Sequence, residues 1–133
     1  MIRTGEGAGI TGVIMNQQTV DIFNPKTIRA TMGSIFRVPF VYVSELSPVL
    51  TQMHERGIHT YAAHLKGQKY YDSFSFREPI AFLIGNEGNG LTKEISDQAG
   101  QYLKIPMEGK VESLNASIAA ALLMYEAHRQ RNL

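Results

Sequence analysis

Two glycine-bearing segments hold most of the residues whose types and spacing suit chemistry. Gly85-Asn-Glu-Gly-Asn-Gly90 sets three glycines around the carboxylate of Glu87. Ile105-Pro-Met-Glu-Gly-Lys-Val-Glu-Ser-Leu-Asn-Ala116 brings Ser113 and Asn115 to the start of a very apolar stretch. Three glycines are more than a turn requires, and they allow a backbone to approach a ligand closely. A carboxylate just after an apolar run is poorly solvated, which sets Glu87 apart from an ordinary turn residue. Ser113 and Asn115 can each accept hydrogen bonds from the free amides of a first helical turn. The glycine spacing, Gly-x-x-Gly-x-Gly with no Gly-Lys-Ser/Thr after it, is a poor match to a dinucleotide fingerprint or a P-loop. On these residues alone, a ligand-free turn and an ordinary helix cap remain open.

The surrounding elements place both segments after strands. Ile80-Ala-Phe-Leu-Ile84 is a continuous apolar run without alternation, the pattern of a strand covered on both faces. It feeds directly into Gly85, and Thr92 then serves as an N-cap for a helix reaching about Gly100. Tyr102 to Ile105 reads as a strand ended by Pro106. From Ala116 to Tyr125 the chain is apolar nearly all round, so that helix has no solvent face and packs on a sheet, a second subunit or both. It is far too short to span a bilayer. Further strands are expected at 12–15, 40–43 and 58–62. Helices are expected over 26–36, after Asn24-Pro25, and over 47–56, closed by Gly57. Strands alternating with helices at this spacing indicate one α/β domain with a mostly parallel sheet.

Bulk composition narrows the function classes. At 133 residues with 44% hydrophobic and 19% charged residues, the chain is one soluble globular domain rather than a disordered one. It has no cysteine, which excludes thiol chemistry and fits a reducing cytoplasm; no secretory signal is present. His54, His59, His64 and His128 show no metal-ligand spacing, so no metal is expected. A net charge of +1 makes no case for nucleic acid, but residues 22–44 carry Lys26, Arg29 and Arg37 without one acidic residue. These cations are read either as contacts to an RNA backbone or as a plain polar helix face. Tyr70 and Tyr71 are read either as base-stacking rings or as loop residues packed on their own domain.

Gly-Asn-Glu-Gly-Asn-Gly-Leu (85–91) followed by Ile-Pro-Met-x-Gly-x-Val-Glu-Ser-Leu-Asn-Ala-Ser-Ile-Ala (105–119) resembles the second and third motifs of the SpoU, or TrmH-type, RNA 2′-O-ribose methyltransferases of the SPOUT superfamily. Ile-Arg-Thr-x-x-x-Ala-Gly (2–9) and Asn-Pro-Lys-x-x-Arg-x-x-x-Gly-Ser-x-Phe-Arg (24–37) resemble that family's first motif and the stretch after it, so the likeness covers the whole chain in order.

The resemblance implies a parallel sheet with a C-terminal trefoil knot, a homodimer, and S-adenosylmethionine held in the knotted loops. By matching positions, Gly85, Ile105 and Leu114 would contact the cofactor, with Leu83, Met107 and Ala116 nearby. Arg3 would support the reacting centre, and Glu87, Ser113 and Asn115 would orient cofactor, loop and nucleotide. The family's first motif opens with an Asn-x-Gly and a preceding strand, and neither is in this sequence. The expectation is therefore a front-shortened domain with exposed strand edges, either catalytic on rRNA or tRNA or a knotted dimer that binds without turnover.

Overall fold

The structure is a computed structural model of the 133-residue chain and describes residues 1–17, 21–86 and 90–133. Among these residues, all strand pairings are parallel and form two separate sheets. In the first, β1 (Val13–Met15) pairs with β2 (Phe40–Tyr42), Val13 opposite Phe40. In the second, β3 (His59–Ala63) lies between β4 (Ile80–Leu83) and β5 (Gln101–Leu103), so that Tyr61 faces both Phe82 and Gln101. Among the described residues, β1 and β2 in the first sheet and β4 and β5 in the second each keep one edge unpaired.

The helices are α1 (Ile2–Ala8), α2 (Pro25–Thr31), α3 (Ser47–Glu55), α4 (Lys93–Gln98) and α5 (Ala116–Arg131). Their ends follow local chemistry. Gly9 stops α1 at φ 83°, where a side chain would be strained, and its amide returns to the helix's last carbonyls. Asn24 caps α2 by accepting from the Lys26 amide, and Thr92 caps α4 by accepting from the Ile95 amide at 3.3 Å.

Two expectations need correction. The helix expected over 26–36 ends at Thr31, because Met32 (φ 51°) and Gly33 (φ 89°) turn the backbone left-handed; a 3₁₀ turn, Ser34–Phe36, follows. The basic run is therefore divided between a short helix and a turn. β4 was expected to be covered on both faces, yet all four of its residues are half-buried, since it is an edge strand among those described.

The main core lies between the three-stranded sheet and α5, where Tyr61, Phe76, Leu103, Leu123 and Ala127 meet. Phe76 stands edge-on to Tyr61 and to Phe82, each at 5.1 Å, the favoured contact of ring edge with ring face. A second cluster joins Ala8 of α1 to Ala120 and Met124 of α5, with Phe82 and Ile84 against it. The all-round apolar character of α5 is thus divided. One side is buried in the core, and Ile118, Leu122 and Tyr125 remain exposed on another.

Leu123 is 0% exposed at the centre of this packing. Leu123→Ala is expected to lower stability by about 2–5 kcal/mol in urea denaturation, through lost transfer energy and the cavity left behind. A loss under about 0.5 kcal/mol would mean that α5 does not seat on the sheet as described.

Candidate functional site

Because β4 and β5 run parallel on either side of β3, their carboxyl ends open on the same end of the sheet. Loops converge at such an end and make it the usual ligand site of open α/β sheets. The bend after β4 begins at Ile84, which packs against the cluster of Ala8 with Ala120 and Met124 of α5. The bend after β5 leads into the first residue of α5. The two glycine-bearing segments are in this way brought to one place.

Gly85 is required there by its own bend. A Cβ on it would lie 2.4 Å from both Gly90 C and Leu91 N, so only glycine lets the returning backbone pass. The return is closed by the Gly90 amide donating to the Asn86 carbonyl at 2.9 Å, with Gly90 at φ 66°. Glu87 lies outside the described residues.

The second bend has a different character. Residues 105–114 make no hydrogen bond to any other described residue, through backbone or side chain. Ile105, Met107 and Leu114 are nevertheless half-buried, as are Leu83, Gly85 and Ala116. Backbone amides and carbonyls in such a place ordinarily find partners, so an unpaired run beside half-covered apolar side chains suits a ligand with both polar edges and apolar faces. Of the two candidate caps, Asn115 serves: its Oδ1 accepts from the Ser117 amide at 2.8 Å and the Ile118 amide at 3.3 Å. Ser113 is exposed and caps nothing.

Arg3 is exposed on α1 and makes no hydrogen bond or ion pair with the described residues. Helical spacing sets Glu6 on the same face, one turn on. There Arg37 Nε donates to Glu6 Oε1 at 2.6 Å, tying α1 to the 3₁₀ turn. This guanidinium bond, and secondarily the Ser34 hydroxyl, hold the Glu6 carboxyl below the usual carboxylate range. Glu6 Oε2 is buried without a partner of good geometry, so Ser34 acts only as a loose neighbour. Arg37 is thus partly committed within the protein. Lys26 and Arg29 are exposed and have no acidic partner among the described residues. No described hydrogen bond or ion pair joins Arg3 to either bend; α1 meets the first of them through Ala8, whose cluster with Ala120 and Met124 of α5 has Ile84 packed against it.

Sequence reasoning did not single out Glu6, because nothing local links it to an arginine so distant in the chain. It also missed the stacking of His64 on Tyr102, with centroids 4.5 Å apart, just beyond the end of β3. Tyr71 packs against the protein's own core, while Tyr70 is exposed and its segment pairs with Lys104 beyond β5.

A depressed carboxyl contributes stability that is complete above its unfolded pKa and is lost as pH falls through the folded value. Glu6→Gln should therefore flatten the acid limb of the stability curve, read as melting temperature against pH from neutral to acid. An unchanged acid limb would mean that the Glu6–Arg37 pair does not persist in solution. Gly85→Ala should displace the bend while leaving the core folded, seen as amide shift changes confined to the ends of β4 and α5. Unchanged amides there would contradict the close approach of Gly90.

The description of the SpoU rRNA methylase family matches residues 1–125. A relative from Staphylococcus haemolyticus, named for the TrmH family of tRNA/rRNA methyltransferases, is 34% identical over 99% of this chain and 53% of its own length. The chain spans about half the length of the curated relatives it matches. Among solved structures, the SpoU methyltransferase AviRb from Streptomyces viridochromogenes in complex with AdoMet superposes with a TM-score of 0.90 at 33% identity, covering 98% of this chain and 54% of that one. A structure described as an RNA 2′-O ribose methyltransferase gives a TM-score of 0.84 at 33% identity, over 99% of this chain and 50% of that one. With motifs, parallel sheet and bends all in agreement, the chain belongs to the SpoU rRNA methylase family.

Proposed function

We propose that this chain transfers a methyl group from S-adenosylmethionine to a ribose 2′-hydroxyl in ribosomal or transfer RNA, acting as a homodimer. The observation that carries this reading is the 105–114 bend, unpaired in its backbone among the described residues and mostly exposed but with Ile105, Met107 and Leu114 half-buried, which follows β5 at the same sheet end as the Gly85 bend. An adenine presents polar edges and two apolar faces, which such a place satisfies. Gly85, Ile105 and Leu114 would hold the cofactor through backbone groups, with Leu83, Met107 and Ala116 supplying apolar cover. Its AdoMet-bound relative AviRb has the same fold. When bound, the cofactor supplies an electrophilic methyl on a sulfonium.

The chain's own residues have the remaining work of aligning the hydroxyl and balancing charge. Arg3, exposed and unengaged, is suited to clamp a phosphate or the developing alkoxide. It is not a base, since a guanidinium keeps its proton to about pH 12. Asn115 fixes the start of α5 and with it the last residues of the cofactor bend. Ser113 and Glu87 orient cofactor and nucleotide. Lys26 and Arg29 face solvent for RNA phosphates, with Arg37 sharing its charge with Glu6. No described contact brings Arg3 to the bends of its own chain, and the exposed stripe Ile118, Leu122 and Tyr125 offers α5 to a second copy. Dimerisation through α5 answers both observations. A trefoil knot threading the two bends belongs to the same proposal.

Calorimetric titration with S-adenosylhomocysteine and transfer of tritiated methyl to unmodified bulk RNA test the reading together. Binding with transfer is the expected result. Binding without transfer would leave a non-catalytic module, and absence of binding would sink the cofactor site itself. Asn115→Ala should weaken S-adenosylhomocysteine binding by well over tenfold, beyond the ~1 kcal/mol of a lost cap. If only melting temperature moves, Asn115 is a cap and nothing more. Arg3→Ala should lower transfer about a hundredfold or more at unchanged cofactor affinity, the scale of losing one electrostatic support.

A further inference from the structure

The corner between α2 and the 3₁₀ turn exposes more apolar surface than its packing needs. Met32 is 67% exposed and Phe36 84% exposed, the largest exposure of any aromatic residue among those described. Single exposed apolar residues are ordinary. This pair differs in how firmly it is mounted. Ile35, beside Phe36, is buried in the cluster with Met15 and Ile22, and Ser34 and Val38 are buried as well. Arg37, on its other side, is fixed to Glu6 of α1. Arg37's guanidinium also lies over Gly33, where an added Cβ would stand 3.1 Å from its Nη1. The turn is held from both sides while the Phe36 ring faces solvent. Met32 holds a left-handed backbone there, a strained conformation for a side-chain-bearing residue.

The electrostatic surroundings select the partner. Residues 22–44 contain no acid, and Lys26 and Arg29 of α2 are exposed without acidic partners among the described residues. A flat ring on the turn that follows a helix of unneutralised cations fits a chain that is anionic along its backbone and has free π-faces, which is single-stranded RNA. An aromatic held on an anchored turn loses little side-chain entropy when a base stacks on it.

We propose that Phe36 is a stacking platform for an unpaired base of the RNA substrate, flanking the reactive nucleotide, with Lys26 and Arg29 holding the adjoining phosphates. The inference rests on the RNA-methyltransferase reading and deepens it: the substrate is unpaired at the site rather than a continuous duplex. Glu6 links the platform to the helix face that carries Arg3. A base stacked on Phe36 therefore sets the register of the strand relative to that arginine.

The test uses the full chain and a short single-stranded oligouridine carrying one 2-aminopurine, with a duplex of equal length beside it. The wild-type protein should bind the single strand more tightly than the duplex and change the 2-aminopurine emission. Phe36→Ala should weaken single-strand binding by about tenfold or more and abolish the emission change, with duplex binding, circular dichroism and S-adenosylhomocysteine affinity unaltered. Phe36→Trp should restore both signals, and Phe36→Leu should restore neither. Lys26→Gln with Arg29→Gln should weaken both single strand and duplex and reduce the salt dependence of each. The proposal is overturned if Phe36→Ala binds like the wild type, or if leucine restores binding, which would indicate plain apolar contact. A smaller mass for Phe36→Ala in sedimentation would also overturn it, by assigning the face to a second copy of the chain. If the wild type binds neither probe, the RNA reading itself fails, a result distinct from selective indifference to Phe36.

Discussion

Parallel pairing of β4 and β5 on the two sides of β3 is the constraint from which the rest follows. Parallel strands send all their carboxyl ends to one end of a sheet, so two segments far apart in the chain must bend next to each other. Each bend then meets its own local requirement. At Gly85 the backbone doubles back so closely that no side chain fits. At 105–114 it runs on without hydrogen-bond partners among the described residues until Asn115 turns it into α5.

α5 converts that juxtaposition into a fixed site. Its first turn receives the second bend, and its Ala120 and Met124 belong to the cluster on which Ile84, the residue opening the first, is packed. Its middle fills the core through Leu123 and Ala127. Its last turns clamp the segment leading into β4. Gln130 Oε1 accepts from the Phe76 amide at 2.7 Å, its Nε2 donates to the Phe74 carbonyl at 2.9 Å, and Arg131 Nε donates to the Phe76 carbonyl at 2.8 Å. A buried glutamine is tolerable here because both ends of its amide are satisfied. One helix thus fixes the approach to β4, the core, and the start of the second bend, while its Ile118, Leu122 and Tyr125 remain exposed.

Much of this was legible in the sequence because it is written in local chemistry. The glycine stop at Gly57, the helix start at Asn24-Pro25, the caps at Thr92 and Asn115, and the apolar runs of the strands each declare themselves within a few residues. The shortened second helix was not, since a methionine at Met32 gives no warning of a left-handed backbone; the turn is set by Ile35 and Val38 finding the core. Nor was the half-burial of β4 legible, because an apolar run reports what a strand prefers and not which neighbours it has. The pairing of Arg37 with Glu6 was hidden for a third reason: tertiary contact, and no periodicity, brings them together. Within the site, the motif residues were read from their pattern: Gly85 and Ile105 follow the ends of β4 and β5, and Leu114 and Asn115 lead into α5. Glu87 falls outside the described residues.

The central claim is that the bends after β4 and β5 together form one cofactor site. Amide shift mapping of the isotope-labelled chain during titration with S-adenosylhomocysteine tests it most directly. The account expects saturable shifts in both 83–91 and 104–116, with one common dissociation constant. Shifts confined to a single bend, or centred on the opposite end of the sheet around His54 and Thr60, would contradict it.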